Sequence, residues 1–205
     1  LTLFTLLISM MFGCGTNGTA TLRSVATPAF LTFNPTTLAY VSTDVNTADV
    51  YLTDLPKATL DPDADLAGVS GVLVHLHMFI TPLAGETPIA NSACSATFRA
   101  VVIADGNIGV YGGGGFLAPS QAPGGPKFGG QMRDASCRLS TRSKGFVDRL
   151  GYSTFSSDFR VLNNPPTAKL LERRLGTILA SLPPPAPIEP AKPIAPAKAA
   201  VPPKP

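Results

Sequence analysis

Residues 69–82, VSGVLVHLHMFITP, decide how the rest of this 205-residue chain is read. They form the longest apolar segment outside the N-terminus and carry both histidines of the chain. Val72, Leu73, Val74, Leu76, Met78, Phe79 and Ile80 make a run closed by Gly71 on one side and Thr81-Pro82 on the other. Such a run, rich in β-branched residues and ended by turn formers, reads as a strand buried on both faces. Alternate side chains of a strand share a face. His75 and His77 therefore project to one side with Leu73 and Phe79, and Val74, Leu76, Met78 and Ile80 to the other. This places residues 69–82 as the central strand of the domain.

Working outward, short apolar segments at 29–33, 38–41 and 48–53 precede it, broken by Asn34-Pro35-Thr36-Thr37. In 48–53, ADVYLT, Val50 and Leu52 share one face and Tyr51 takes the other. After it, residues 94–104 and 108–111 flank Asp105-Gly106-Asn107, a hairpin signal because Asp and Gly tolerate positive φ. Four glycines at 112–115 lead into a Pro/Gly-rich stretch at 118–130. No Gly-Lys-Ser/Thr or helix follows them, so they are not a phosphate loop. They read instead as a strand that bends where another chain segment comes close. Residues 132–140 and 153–162 are further strands.

One helix is expected, over 167–182, where Leu171, Leu175, Ile178 and Leu182 form a stripe. Asn163-Asn164-Pro165-Pro166 supplies its start, since Asn caps and Pro fits the first turn. The chain carries no Trp, 19 Gly and 21 Pro, which favours turns over long helices. The expected fold is therefore mainly β: an antiparallel β-sandwich of about seven to nine strands with one C-terminal helix. The globular domain spans 21–182. Residues 183–205 are Pro/Ala/Lys-rich, and composition predicts an extended, disordered tail. The net charge is +3, and Lys192, Lys198 and Lys204 against Glu189 put +2 of it in the tail. A near-neutral body without a basic stripe argues against nucleic acid as a partner.

Residues 1–12, LTLFTLLISMMF, hold no charge and fall short of the roughly 20 apolar residues a bilayer span needs. Residues 1–13 read as a signal-peptide remnant. The apolar run, then Gly13-Cys14, then a polar Gly-rich tether over 14–20, resembles the N-terminus of a bacterial lipoprotein. That resemblance implies export to the cell envelope and lipidation of Cys14, with the membrane as partner through the modified N-terminus. Cys94 and Cys137 then remain as an even pair in an oxidising compartment. A disulfide between them needs Cα atoms within about 7 Å; two free thiols are the alternative.

The sharpest chemical feature is His75-Leu76-His77, two imidazoles on one strand face, a pattern that can chelate a divalent metal. The metal strand of cupins has the same His-x-His spacing, but adds a nearby Glu and a later His. Here the next acid is Glu86 and no third His exists, so that resemblance fails. Asp54, Glu86 and Asp105 are the carboxylates considered as further ligands. Asp61, Asp63 and Asp65 alternate as in calcium loops, but Leu66 and Val72 occupy the positions where an EF-hand needs Gly and Glu. No Gly-x-Ser-x-Gly elbow is present.

Taken together, the sequence favours an exported, lipid-anchored, non-catalytic binding or structural module with a protein or cell-wall partner and no required cofactor. The alternative is a metal-binding protein or metal-dependent enzyme built on His75 and His77. Two acyl chains hold a protein stably on a membrane, whereas one gives marginal binding. Expressed with its native leader in a bacterium, the protein should fractionate with membranes, and Cys14→Ser should move it to the soluble fraction. Unchanged fractionation of that variant would remove the lipid anchor.

Overall fold

The computed structural model describes residues 17–82 and 94–184. Ten strands and one helix follow in chain order: β1 (Asn17–Ser24), β2 (Phe30–Phe33), β3 (Thr37–Val41), β4 (Ala48–Thr53), β5 (Gly71–Met78), β6 (Ala96–Ala104), β7 (Asn107–Gly115), β8 (Leu117–Pro119), β9 (Lys127–Arg142), β10 (Ser153–Leu162) and α1 (Pro165–Ala180). Nine strands form one antiparallel path, β2-β1-β10-β9-β7-β6-β5-β4-β3, and β8 pairs alongside β9. The mainly-β reading holds, but the sandwich does not. A sandwich stacks two separate sheets, whereas here the backbone ladder runs unbroken from β2 to β3 and curls into a half-barrel.

The curl has a local cause in β9. Opposite β10 its register shifts between Phe155 and Ser157, where Asp134 takes φ 47° and its N–H donates to Ser156 Oγ at 3.0 Å. Opposite β7 it shifts again between Val110 and Tyr111, and Ser140 Oγ donates to Val110 O at 2.9 Å. Each bulge bends its strand and adds twist. The glycines of β7 let β9 come in close: a Cβ on Gly115 would stand 2.6 Å from Ala135 Cβ, and one on Gly113 would strike Ser136 O. The curl brings β3 against the end of β10, where Asn164 N–H donates to Tyr40 O at 3.1 Å and Tyr40 Oη donates to Gly125 O.

The two sheet faces carry two cores. Inside the half-barrel, Val72, Val74, Leu76 and Met78 of β5 join Phe98, Phe128, Phe155 and Phe159. Phe98 and Phe155 stack with ring centroids 4.4 Å apart. Outside, Leu73, Val101, Ile103 and Val110 join Ala39 and Tyr51 in a second cluster, to which α1 contributes Ala168, Leu171, Leu175 and Ile178. The helix starts where its Asn-Pro-Pro signal puts it, with Asn164 Oδ1 accepting from Thr167 N–H. The β6–β7 hairpin turns at Asp105 and Gly106, both at positive φ, as its Asp-Gly signal requires.

Among the differences from the sequence reading, three bear on the layout. Strand β1 begins at Asn17, inside the stretch read as a tether, because Gly18 to Ser24 pair with β10 and Ala20 is buried. The centre of the sheet is β7, not β5, which lies third from the β3 edge. The helix ends at Ala180 rather than 182. Residues 1–16, with Cys14, and the tail from 185 lie outside the described residues. Among the described residues no helix is long and apolar enough to cross a membrane.

Burial of one Leu contributes about 1.5–3 kcal/mol, and Leu175 is a buried contact between α1 and the sheet. Leu175→Ala should destabilise the protein by about 2–5 kcal/mol and lower its thermal midpoint by several degrees. An unchanged midpoint in a thermal melt would mean that α1 does not hold the outer face.

Candidate metal centre

The outward positions of β4, β5 and β6 assemble the site. The ladder places Asp49 opposite His77 and Tyr51 opposite His75, and on the other side His77 opposite Thr97 and His75 opposite Arg99. One carboxylate oxygen, Asp49 Oδ1, accepts from His75 Nε2 at 2.7 Å and from His77 Nδ1 at 2.8 Å. An ionised carboxylate only accepts, so His75 carries its proton on Nε2 and His77 on Nδ1. Tyr51 stacks on His75 with centroids 4.6 Å apart and planes 9° from parallel, which fixes that ring. The side chains of His75, His77 and Asp49 are 22%, 42% and 27% exposed, so the cluster is reachable without being freely solvated.

The ligand atoms of Asp49, His75 and His77 all lie within 4.8 Å of one another. Tetrahedral coordination at about 2.0–2.1 Å separates ligand atoms by about 3.3 Å. A metal ion would therefore fit after the two hydrogen bonds open by about half an ångström and each imidazole carries its proton on the ring nitrogen away from the metal. Burial pushes the Asp49 carboxyl up, but hydrogen bonds and charge from His75 and His77 outweigh it and hold the group below its ordinary value. Burial also pushes the Tyr51 phenol well up, with Asp49 and Glu172 adding to it, so Tyr51 stays neutral beside the cluster.

A groove of about 660 Å³ opens over the histidines, between the sheet's outer face and the C-terminal end of α1. Thr97, Arg99, Gly112 and Ser140 line its sheet side, and Leu179, Leu182, Pro183 and Pro184 its helix side. Thr141 Oγ1 donates to Pro183 O at 2.7 Å and holds the chain there after the helix.

The sequence reading found both histidines and missed the carboxylate. Asp54 Oδ1 accepts from Val72 N–H at 2.6 Å, and the Asp105 N–H donates to Ser70 Oγ at 3.0 Å; both residues sit at the opposite end of β5. Glu86 lies outside the described residues. Asp49 was marked in the sequence only by alternation, two positions from Tyr51 on the outward face of β4. The aspartates of the 61–65 loop serve another cation. Arg174, 2% exposed, donates to Pro62 O at 2.7 Å and Ala64 O at 2.8 Å, with Asp61 and Asp63 supplying opposing charge.

Cys94 and Cys137 are free thiols here, the first exposed and the second buried. They stand on opposite faces of β7: a Cβ on Gly113 would meet Cys137, and one on the neighbouring Gly114 would meet Cys94 Sγ. Burial pushes the Cys137 thiol up to about 12, which keeps it protonated and inert. Comparison of the chain with known protein families, with curated proteins and with solved structures finds no match.

The Asp49 carboxyl ionises more readily folded than unfolded, where its pKa is about 3.9. Its contribution to stability is therefore present above about pH 4 and is lost as pH falls through the lower folded value. In metal-free protein, Asp49→Asn should lower the thermal midpoint near neutral pH, and the difference should shrink below about pH 4. A pH-independent difference would show that the carboxylate's charge does not stabilise the fold.

Proposed function

We propose that this chain is an exported, lipid-anchored module of the bacterial envelope that binds a divalent transition metal through Asp49, His75 and His77. One observation carries the metal reading: three donor atoms of a nitrogen, nitrogen, oxygen set converge within 4.8 Å at a half-buried site beside a groove. Two imidazoles and a carboxylate suit zinc, copper, iron or nickel better than calcium or magnesium, which prefer all-oxygen sets. Three protein ligands leave coordination positions open toward the groove. Metal hydrolases share that openness but add a carboxylate base. Among the described residues the groove lining holds no acid, and this favours binding over hydrolysis.

The anchoring half of the reading rests on the Gly13-Cys14 pattern and the tether that follows. Two residues separate Cys14 from the start of β1 at Asn17, and the three steps between them span at most about 10 Å. A lipidated Cys14 would therefore hold the half-barrel close to the membrane surface.

Purified full-length chain, titrated with zinc in a calorimeter, should bind one equivalent. Asp49→Asn and His77→Ala should each weaken binding by at least about tenfold while the far-ultraviolet dichroism stays unchanged. Absence of zinc binding, or equal binding by both variants, would reduce the cluster to a hydrogen-bonded clasp between β4 and β5.

A further inference from the structure

The inner face of the half-barrel is not filled to its end. Along β6 the inward positions run Phe98, Ala100, Val102 and Ala104. The first two are buried, Val102 is half-buried and Ala104 is exposed. Beside them on β7, Gly109 takes the ring of Phe146: an added Cβ there would stand 2.2 Å from Phe146 Cε1. What remains is a cavity of about 600 Å³ between the edge strand β2, the hairpin end of β6 and β7, and residues 145–150.

Leu31, Val102, Phe146 and Leu150 give this cavity apolar walls. Phe30 and Val147, which also line it, are 63% and 68% exposed, so this end of the molecule presents apolar surface to water. One charged residue lines it, Arg149, which is exposed and has no hydrogen-bond or ion-pair partner among the described residues. The neighbouring acid, Asp148, is already engaged. Its Oδ1 accepts from Tyr111 Oη at 2.6 Å and from the Leu150 and Gly151 N–H groups at 3.0 Å each, and Arg142 supplies opposing charge. The cavity thus combines an apolar body with one unanswered positive charge.

We propose that this cavity binds a medium-chain fatty carboxylate, its chain against Leu31, Val102 and Phe146 and its head on the Arg149 guanidinium. The volume falls within the range of small-ligand sites, roughly 300–1,000 Å³, and the mouth of a barrel is a common place for one. The planar guanidinium fork matches the two oxygens of a carboxylate. A neutral amphiphile would leave Arg149 unanswered, and a cationic one would bring like charge against it. The site lies on the opposite sheet face from Asp49, His75 and His77, so it stands apart from the metal reading.

The test is calorimetric titration of the full-length chain with sodium decanoate, and with decyltrimethylammonium as a chain of the same length carrying the opposite charge. Decanoate should bind with one equivalent and at least about tenfold more tightly than the cation. Arg149→Gln should weaken decanoate by about three- to tenfold, the range for an exposed charge-assisted pair, and leave the cation unchanged or tighter. Ala104→Trp places a ring in the cavity from an exposed position and should abolish decanoate binding with the thermal midpoint unchanged. Ala104→Leu, a smaller filling, takes its place if the Trp variant does not fold. Asp49→Asn should bind decanoate as the unaltered chain does. Absence of decanoate binding, equal binding of decanoate and the cation, or undiminished binding by the filled variant would each overturn the site.

Discussion

Everything placed on the outer face depends on the register of β5. Val72, Val74, Leu76 and Met78 are all buried inside the half-barrel, and this fixes the strand against its neighbours. Because the side-chain period is two, a slip of one residue would drive His75 and His77 into the apolar interior and bring those four residues out. Four buried apolar side chains, at about 1.5–3 kcal/mol each, oppose such a slip far more strongly than any polar contact could. The hydrogen bonds to Asp49 do not create the register; they use it. That separation matters for function, since a site positioned by the core can exchange hydrogen bonds for a metal without costing the fold its alignment.

The same two-fold alternation explains what the sequence could and could not disclose about architecture. It marks each strand and its buried face, and eight strand segments lie close to where periodicity puts them. It is silent on whether apolar faces meet as two stacked sheets or as one sheet curled on itself. Both give inward and outward residues in turn. The decision lies in β9, in two bulges at Asp134 and Ser140. Neither Asp nor Ser announces a bulge from its identity. The glycines of β7 were the visible trace of this bend, although the residues that come close, Ser136 and Ala135, belong to a strand about twenty residues further along the chain. Strand β1 went unseen at its start because Asn-Gly-Thr is poor strand sequence, held extended by its pairing with β10.

For the site, local spacing was enough for the histidines and not for their partner. His75 and His77 share a face by sequence alone. Asp49 reaches them only through the β4–β5 ladder, across a connection of seventeen residues between Thr53 and Gly71. Asp54, nearer in sequence to β5, instead satisfies the Val72 amide at the far end of that strand. The groove was equally hidden, since one wall is the end of α1 and the chain just after it. The acidic loop at 61–65 shows the converse: a pattern that resembles a metal loop, explained by a buried arginine arriving from the helix more than a hundred residues later.

The proposed function joins a short N-terminal pattern to a geometric centre, and metal binding at that centre would set the protein apart from an inert scaffold. Zinc K-edge X-ray absorption on the zinc-loaded full chain tests it most directly, because it reports the ligand atoms themselves. The account requires imidazole scattering from two histidines and a first shell of nitrogen and oxygen at about 2.0–2.2 Å. A sulfur shell at about 2.3 Å, which would place the ion on a cysteine, or a shell without imidazole scattering, would contradict it.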